Sequence, residues 1–448
     1  MTRLPSAAAI LVLALTLMTH VSQAAKTKIF PFPVDTRVMD NGLKVVMVPF
    51  DSPGIVAYYT IARVGSRNEV DPGRSGFAHF FEHMMFRGTE KYPTTAYNEL
   101  FKVLGSDANA FTSDDVTVFH SLFGTGGLER VIDAESDRFM NLEYSETDFR
   151  QEAKAVLGEY NKNYSNPIRK LFEKLRDTAW DRHPYKHTTM GFIHDIIDMP
   201  NQYDYSRRFF ARYYTPDNVV VLIVGDFQPD NAWALVRKYY GKWNKKTDPA
   251  VIPRDPPQTA PRKGHIEWDN PTLPYLAMAY KVPAFDARTT DCAALDILSR
   301  LVFGRTSTLY QALVVNERKV EWISAQFPDR RDPTLFTVLA KIKSDDDIDY
   351  VRGQIEQAIQ KAQTAPPDAT RLEAVKSNIR YGFAMSLDTA ASVASHLAHY
   401  IGLTGQPGTV NAIYQRYAEV TPGDVQRVAQ TYLTRNRSTR ITLTGAKR

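Results

Sequence analysis

Cysteine is almost absent from this 448-residue chain: Cys292 stands alone. A single thiol excludes an intrachain disulfide and any metal site built from cysteines only. A strong excess of one charge is missing too. Lysine and arginine number 55 against 50 aspartates and glutamates, a formal net charge of +5. Spread over so long a chain, that leaves no concentrated basic footprint and argues against a nucleic-acid partner. Beyond the first 24 residues no apolar run is long enough to span a bilayer. Histidine is scarce, with 10 residues, so any metal must be held by a few imidazoles and by carboxylates. What remains is ordinary globular material, 43% hydrophobic and 23% charged, sufficient at this length for two or more domains.

The chain opens with Arg3, an uncharged and mostly apolar stretch from Ala7 to Met18, and the small-residue pattern Ser22-Gln23-Ala24. That order predicts a signal peptide over residues 1–24 and a secreted or periplasmic mature protein, since the apolar core is too short for a conventional span. Five prolines (249, 253, 256, 257 and 261) crowd the stretch from Thr247 to Pro261. They forbid a regular helix or central strand and predict a linker over residues 247–263. The flanking regions, 25–246 and 264–448, are of ordinary domain size, about 220 and 185 residues. Both end alike: a helical pattern, a polar turn, a β-branched strand (Val219 to Val224, Thr439 to Thr444) and a glycine. Two such endings suggest an internal duplication.

In the first region, Thr36 to Val38 and Lys44 to Pro49 flank Asp40-Asn41-Gly42 and read as a hairpin. Ile55 to Val64 and Asp107 to Phe123 read as strands. Ser75 to Phe86, Gly127 to Asn141 and Thr147 to Asn163 read as helices by apolar spacing. The expected fold class is α+β: two homologous half-domains, each a mostly antiparallel sheet backed by helices.

The segment that carries chemistry is His79-Phe80-Phe81-Glu82-His83, an H-x-x-E-H pattern. On a helix, with about 100° between residues, these three polar side chains fall within roughly a 100° arc. Two imidazoles at i and i+4 can grip one ion, and the carboxylate between them can handle a proton of a metal-activated water. The rest of the helix (Phe77, Ala78, Phe80, Phe81, Met84, Phe86) is apolar, so the polar trio lies in a largely buried element and needs compensation. A catalytic zinc needs a third protein ligand. The helical stretch Thr147 to Asn163 offers Glu152 and Glu159, seven apart and on one face. Spacing leaves both open, one as ligand and the other as a carboxylate that orients the site.

Further segments extend the pattern. Gly65-Ser66-Arg67 and Glu69 precede the motif, and Phe86-Arg87-Gly88-Thr89 follows it. Asn109-Ala110-Phe111-Thr112, His183-Pro184-Tyr185, Gly191 and Tyr214-Thr215-Pro216-Asp217-Asn218 come next, the last running into Gly225-Asp226. With these segments the sequence resembles the pitrilysin family of zinc peptidases, whose inverted H-x-x-E-H is its signature. The resemblance covers nearly the whole chain after the signal and is strongest from Gly65 to Asp226. It implies one Zn²⁺ per chain, held by His79, His83 and Glu159, the last lying 76 residues beyond His83. It implies Glu82 as general base and Glu152 as the supporting carboxylate. It also implies that Asn109, Ala110 and Phe111 form an exposed strand that binds substrate backbone by β-augmentation, with short or unfolded peptides as substrates. The two half-domains would make half of a clamshell.

One departure stands out. The family completes its site with an Arg and a Tyr spaced R-x6-Y on a metal-free half-domain; here Val314 and Glu321 fall at those places. The resemblance therefore implies a dimer: a homodimer, or a heterodimer with a homologous subunit that bears the Arg and Tyr. A zinc-bearing subunit inactive alone and a non-catalytic structural subunit are the alternative readings. His396 and His399, at i and i+3, read as an ordinary helix face.

Overall fold

The protein is described here by a computed structural model covering residues 28–446; the expected signal peptide lies outside the described residues. Six strands form the first sheet: β1 (Asp35–Val38), β2 (Lys44–Pro49), β3 (Ile55–Ala62), β4 (Asp107–Thr112), β5 (Thr117–Gly124) and β6 (Val219–Gly225). Five form the second: β7 (Arg262–Trp268), β8 (Tyr275–Val282), β9 (Val320–Gln326), β10 (Thr334–Ile342) and β11 (Ser438–Gly445). The first sheet runs β1-β2-β6-β3-β5-β4 and the second β7-β11-β8-β10-β9. With β1 set aside the two orders follow the same path. In each sheet one pair is parallel (β2 with β6, β7 with β11) and the remaining pairs are antiparallel. The similarity of the two chain endings thus extends to the whole topology: an α+β fold of two half-domains.

Strand β6 (Val-Val-Val-Leu-Ile-Val-Gly) is buried at every position. Its uninterrupted apolar run is what a strand covered on both faces requires. Alternation sends Val220, Leu222 and Val224 to one core, and Val219, Val221 and Ile223 to the other.

The helices include α1 (Phe77–Met84), α2 (Glu146–Asn163), α3 (Pro167–Ala179), α4 (Asp291–Phe303), α5 (Ala369–Met385) and α6 (Ala390–Thr404), the first three of which line the site. Helix α1 covers one face of the first sheet through Phe77, Phe80 and Phe81, packed with Val56, Tyr58 and Ile223. The other face is covered by a helix from the second half: Val393, Leu397 and Ile401 of α6 share a core with Ala57, Tyr59 and Leu222. The exchange is reciprocal. Leu171, Leu175 and Ala179 of α3, from the first half, pack on Ala277, Leu339, Ile441 and Leu443 of the second sheet. Each half therefore lends a helix to the other's sheet.

The sequence reading and the structure part at Asp107 to Phe123, read as one strand and folded as the hairpin β4–β5. Its turn is built by Ser113, whose backbone N–H donates to Val116 O at 2.8 Å while its hydroxyl oxygen accepts from the Asp115 and Val116 amides. Apolar residues run on across this turn, and the Ser-Asp-Asp break is what turns the chain. Residues 243–261 form neither helix nor strand, and β7 begins at Arg262. The prolines there do not make a free spacer. Asp255 pairs with Lys281 at 2.6 Å and accepts from the backbone amides of Asp181, Arg182 and His183.

Candidate active site

Helix α1 starts on a buried carboxylate. Glu69 accepts from the amides of Gly76 and Ala78, each at 2.7 Å, satisfying two of the donors that a helix N-terminus leaves free. Gly76 itself has φ 92°, and a Cβ there would sit 2.4 Å from Ile196 Cδ1 and 3.0 Å from Met190 O. Both the left-handed backbone and the close approach demand glycine. The helix ends in a 3₁₀ turn at Met85–Arg87. Phe77, Ala78, Phe80, Phe81 and Met84 occupy the core side, which leaves His79, Glu82 and His83 on the side toward β4 and α2.

Helix α2 begins with a capping box, Ser145 with Asp148, and buries Phe149, Glu152, Ala153, Val156 and Tyr160. Its two glutamates, left open by spacing, bracket one imidazole. Glu152 Oε1 lies 3.0 Å from His83 Nδ1, and Glu159 Oε2 lies 3.1 Å from His83 Nε2 and 3.6 Å from His79 Nε2. One ligand atom each from His79, His83 and Glu159 fall within 4.8 Å of one another. Glu152 belongs to a different contact: its second oxygen accepts from Arg87 Nε at 2.6 Å. Asn163 Nδ2 donates to Glu159 Oε1 at 3.3 Å, which leaves Oε2 turned to the imidazoles.

The electrostatics separate the roles further. Burial raises the Glu152 carboxyl, but its hydrogen bonds to His83 and Arg87 outweigh burial and hold it below its ordinary value. As an ionised acceptor it takes the Nδ1–H of His83, so that in the neutral ring Nε2 carries the lone pair. The same hydrogen bond raises the His83 pKa. Burial, with His83 nearby, pushes His79 down to about 4, which keeps its imidazole neutral. Nε2 of each histidine and an oxygen of Glu159 thus converge as electron-pair donors, and a cation between them removes their mutual repulsion. Two imidazoles and a carboxylate are a donor set that suits zinc. Glu82 stands apart from this set. Burial raises its carboxyl, moderated by hydrogen bonding to Thr112 and by the charge of His83.

Thr112 closes β4, the edge strand of the first sheet. Along β4 exposed and half-buried residues alternate. Asn109, Ala110 and Phe111 pair inward with His120, Phe119 and Val118 of β5, leaving the opposite side without a strand among the described residues. The Ala110 amide donates to Asn109 Oδ1 at 2.8 Å, and Phe111 is 44% exposed. A cavity of about 540 Å³ joins Phe111 and Thr112 to His79, Glu82 and Glu159. Val314 and Glu321 lie away from it: Val314 packs against the core that the two halves share and Glu321 pairs with Lys341 at 3.0 Å. His396 bonds the Ser386 hydroxyl and His399 pairs with Asp329.

Sequence reasoning missed Arg87, Asn163 and a loop of the second half. Arg87 was visible within Phe86-Arg87-Gly88-Thr89, and Asn163 is four residues beyond Glu159 on the same helix face. The loop, Asp329-Arg330-Arg331-Asp332 between β9 and β10, crosses to the first half. Arg330 pairs with Asp114 at 2.7 Å, the Arg331 amide donates to Asp115 at 3.0 Å, and Asp332 binds Arg67 and His183. No local pattern announces contacts more than 200 residues apart in sequence.

Two half-domains of one topology, with an H-x-x-E-H helix facing a glutamate-bearing helix in the first alone, define a zinc-peptidase-like fold. The family model "Insulinase (Peptidase family M16)" matches residues 58–192 and "Peptidase M16 inactive domain" matches residues 202–379. The chain belongs to the M16, or pitrilysin-type, family. It is similar to the zinc protease PqqE of Helicobacter pylori, at 29% identity, over 90% of this chain and 91% of that one. A crystal structure of a protease from Helicobacter pylori superposes with a TM-score of 0.85 at 27% identity, covering 92% of this chain and 100% of that chain. The periplasmic protease PqqL from Escherichia coli shares the fold (TM-score 0.75, 20% identity), with 92% of this chain covering 47% of that one.

Proposed function

We propose that this chain is a zinc metallopeptidase that hydrolyses peptide bonds in short or unfolded peptides, in the periplasm or outside the cell. The observation that carries the reading is the convergence of His79, His83 and Glu159 within 4.8 Å, with Glu82 beside them and outside the donor set. His79, His83 and Glu159 would hold one Zn²⁺. When bound, the ion supplies Lewis acidity, polarising a scissile carbonyl and acidifying a water in its reach. Glu152 keeps His83 in the tautomer that points Nε2 at the ion, and Arg87 keeps Glu152 ionised. The Glu82 carboxylate takes a proton from the attacking water and delivers it to the leaving amine. Its burial favours the protonated form it must adopt between these transfers. The free edge of β4 at Asn109, Ala110 and Phe111 takes the substrate as an added strand, reading backbone more than side chains. Helix α1 has no room to turn, because Glu69 and Gly76 fix its start.

Location rests on two supports: the apolar leader of residues 1–24, and the periplasmic relative in the same fold. Among the described residues no helix is long and apolar enough to cross a membrane.

A second reading has its own observation. Neither Val314 nor Glu321 supplies the Arg or Tyr of related sites, and the chain spans about half of the PqqL chain it matches. A partner, either a second copy or a homologous Arg/Tyr-bearing subunit, would complete the site. The test is hydrolysis of a quenched fluorescent peptide by the purified chain, with and without chelator and with and without the product of any neighbouring gene of the same fold. Chelator-sensitive cleavage supports the peptidase reading. Cleavage only with the partner supports the subunit reading. No cleavage with metal and partner both present makes the chain a structural subunit.

A further inference from the structure

The cavity that holds His79, Glu82 and Glu159 is also lined by three guanidiniums, from Arg169 and Arg176 on α3 and from Arg330 on the loop of the second half. Two of them share one carboxylate. Arg176 Nη2 lies 2.6 Å from Asp114 Oδ1 and Arg330 Nε lies 2.7 Å from Asp114 Oδ2. The rest of each fork is partly committed: Arg176 Nε donates to Tyr185 O and Arg330 Nη1 to Asp329 O. Arg176 Nη1 and Arg330 Nη2 have no partner among the described residues. The two arginines therefore keep unspent donors at the cavity wall; Asp115 also acts on Arg330, with its own carboxyl raised by burial. Arg169 is exposed and makes no ion pair among the described residues, so its positive charge has no carboxylate paired with it there.

We infer that Arg176, Arg330 and Arg169 form a carboxylate-binding subsite, so that the cavity selects peptides carrying an acidic group close to the scissile bond. A guanidinium fork matches a carboxylate in shape and charge, and charge-assisted bonds are the strong ones. Asp114 pre-sets both forks before substrate arrives, which lowers the cost of ordering them. Chain geometry puts this cluster near the catalytic carboxylate. Asp114 follows Thr112, which contacts Glu82, by two residues, at most about 7 Å of backbone. The acidic group is accordingly expected within about two residues of the bond attacked. An aspartate or glutamate side chain and a free C-terminal carboxylate share this chemistry. Arg330 comes from the second half, so the metal-free half would set specificity for the other.

This inference rests on the peptidase reading, and its test separates the two. Peptides identical except for Asp or Glu against Asn or Gln, placed at each of the two residues either side of the cleaved bond, are compared by kcat/KM. Each is made with a free or amidated C-terminus. The same peptides are titrated by fluorescence anisotropy into Glu82→Gln protein, which requires no turnover. The carboxylate form is expected to win by about tenfold or more, the scale of one charge-assisted hydrogen bond. The ratio should fall in Arg169→Gln and in Arg330→Gln and recover in part in Arg330→Lys. Arg169 is exposed, so its variant carries the test even where Arg330→Gln fails to fold. A preference abolished by amidation assigns the terminal carboxylate; one that survives amidation assigns the side chain. Equal kcat/KM and equal Kd for acidic and neutral peptides overturn the subsite, as does a preference for basic ones. Selective binding of acidic peptides by a protein that cleaves none would uphold the subsite and sink the hydrolysis reading instead.

Discussion

His83 is the residue on which the site turns, because both of its nitrogens are spoken for: Nδ1 by Glu152 and Nε2 by the Glu159 side. Removing Glu152 frees the ring to flip or change tautomer without touching a ligand. Glu152→Ala should therefore weaken zinc binding about 10- to 100-fold, measured by competition with a zinc chelator; unchanged affinity would refute the orienting role. Glu82→Gln should reduce turnover by about 10²- to 10⁴-fold, the usual share of a general base, with peptide binding retained by anisotropy. At this scale the sequence was informative for a simple reason. H-x-x-E-H needs only helical spacing to place three side chains together, and spacing is local. The choice between Glu152 and Glu159 needed a second helix at a known angle. Spacing could not supply that angle, whereas the family resemblance pointed to Glu159 and the geometry brings that residue to both imidazoles. Asn163 and Asp114 carry no signal of their own, since an asparagine or aspartate at a helix end or a turn is ordinary.

Helix α1 is held at its first turn. Its amides at Gly76 and Ala78 depend on Glu69, buried and without access to solvent as a substitute. Glu69→Ala leaves those donors unpaired and should cost about 1–3 kcal/mol, read from the denaturant midpoint, together with a loss of zinc affinity as the helix start loosens. A destabilised protein with native zinc affinity would contradict the link between this cap and the metal ligands. Elements bounded by punctuation were legible in the sequence. The hairpin at Asp40-Asn41-Gly42, the stop of α1 before Gly88, and the strands Val219 to Val224 and Thr439 to Thr444 all fall where turn residues and apolar runs place them. The β4–β5 turn was not, because two β-rich runs abut with three polar residues between them. That omission hid the turn that sets Asp114 between Arg176 and Arg330, although the family resemblance marked Asn109 to Phe111 as an exposed strand.

Across the whole molecule the halves are joined by exchanged helices and by carboxylates in basic surroundings. Burial raises Asp114, but Arg176 and Arg330 outweigh it and hold the carboxyl well below the usual aspartate range. His183 and Arg67 do the same for Asp332. Asp255 is pulled down to about 2 from 3.8, burial being overcome by Lys281 and three backbone amides. A carboxylate whose folded pKa is depressed contributes stability that is present above its unfolded pKa and lost as pH falls through the folded one. These three contacts should therefore hold steady above about pH 5 and fade from about pH 4 downward. Asp255→Asn should lower the denaturant midpoint at pH 7 and flatten the decline between about pH 4 and pH 2; a slope as steep as the parent's would rule out this role. Little of this joinery could be read from the sequence. The duplication was visible in the two chain endings, but the swapped α3 and α6 and the Asp329–Asp332 loop are long-range facts. The proline-rich stretch signals a boundary and conceals that Asp255 fastens it.

The central claim is that His79, His83 and Glu159 hold one zinc while Glu82 does not. Zinc per chain, measured by elemental analysis on Glu82→Gln and Glu159→Gln proteins purified side by side, tests it most directly. The account predicts about one zinc per chain in the first, with peptidase activity lost, and a large deficit in the second. Full zinc in Glu159→Gln, or a metal-free Glu82→Gln that is otherwise folded, would contradict it.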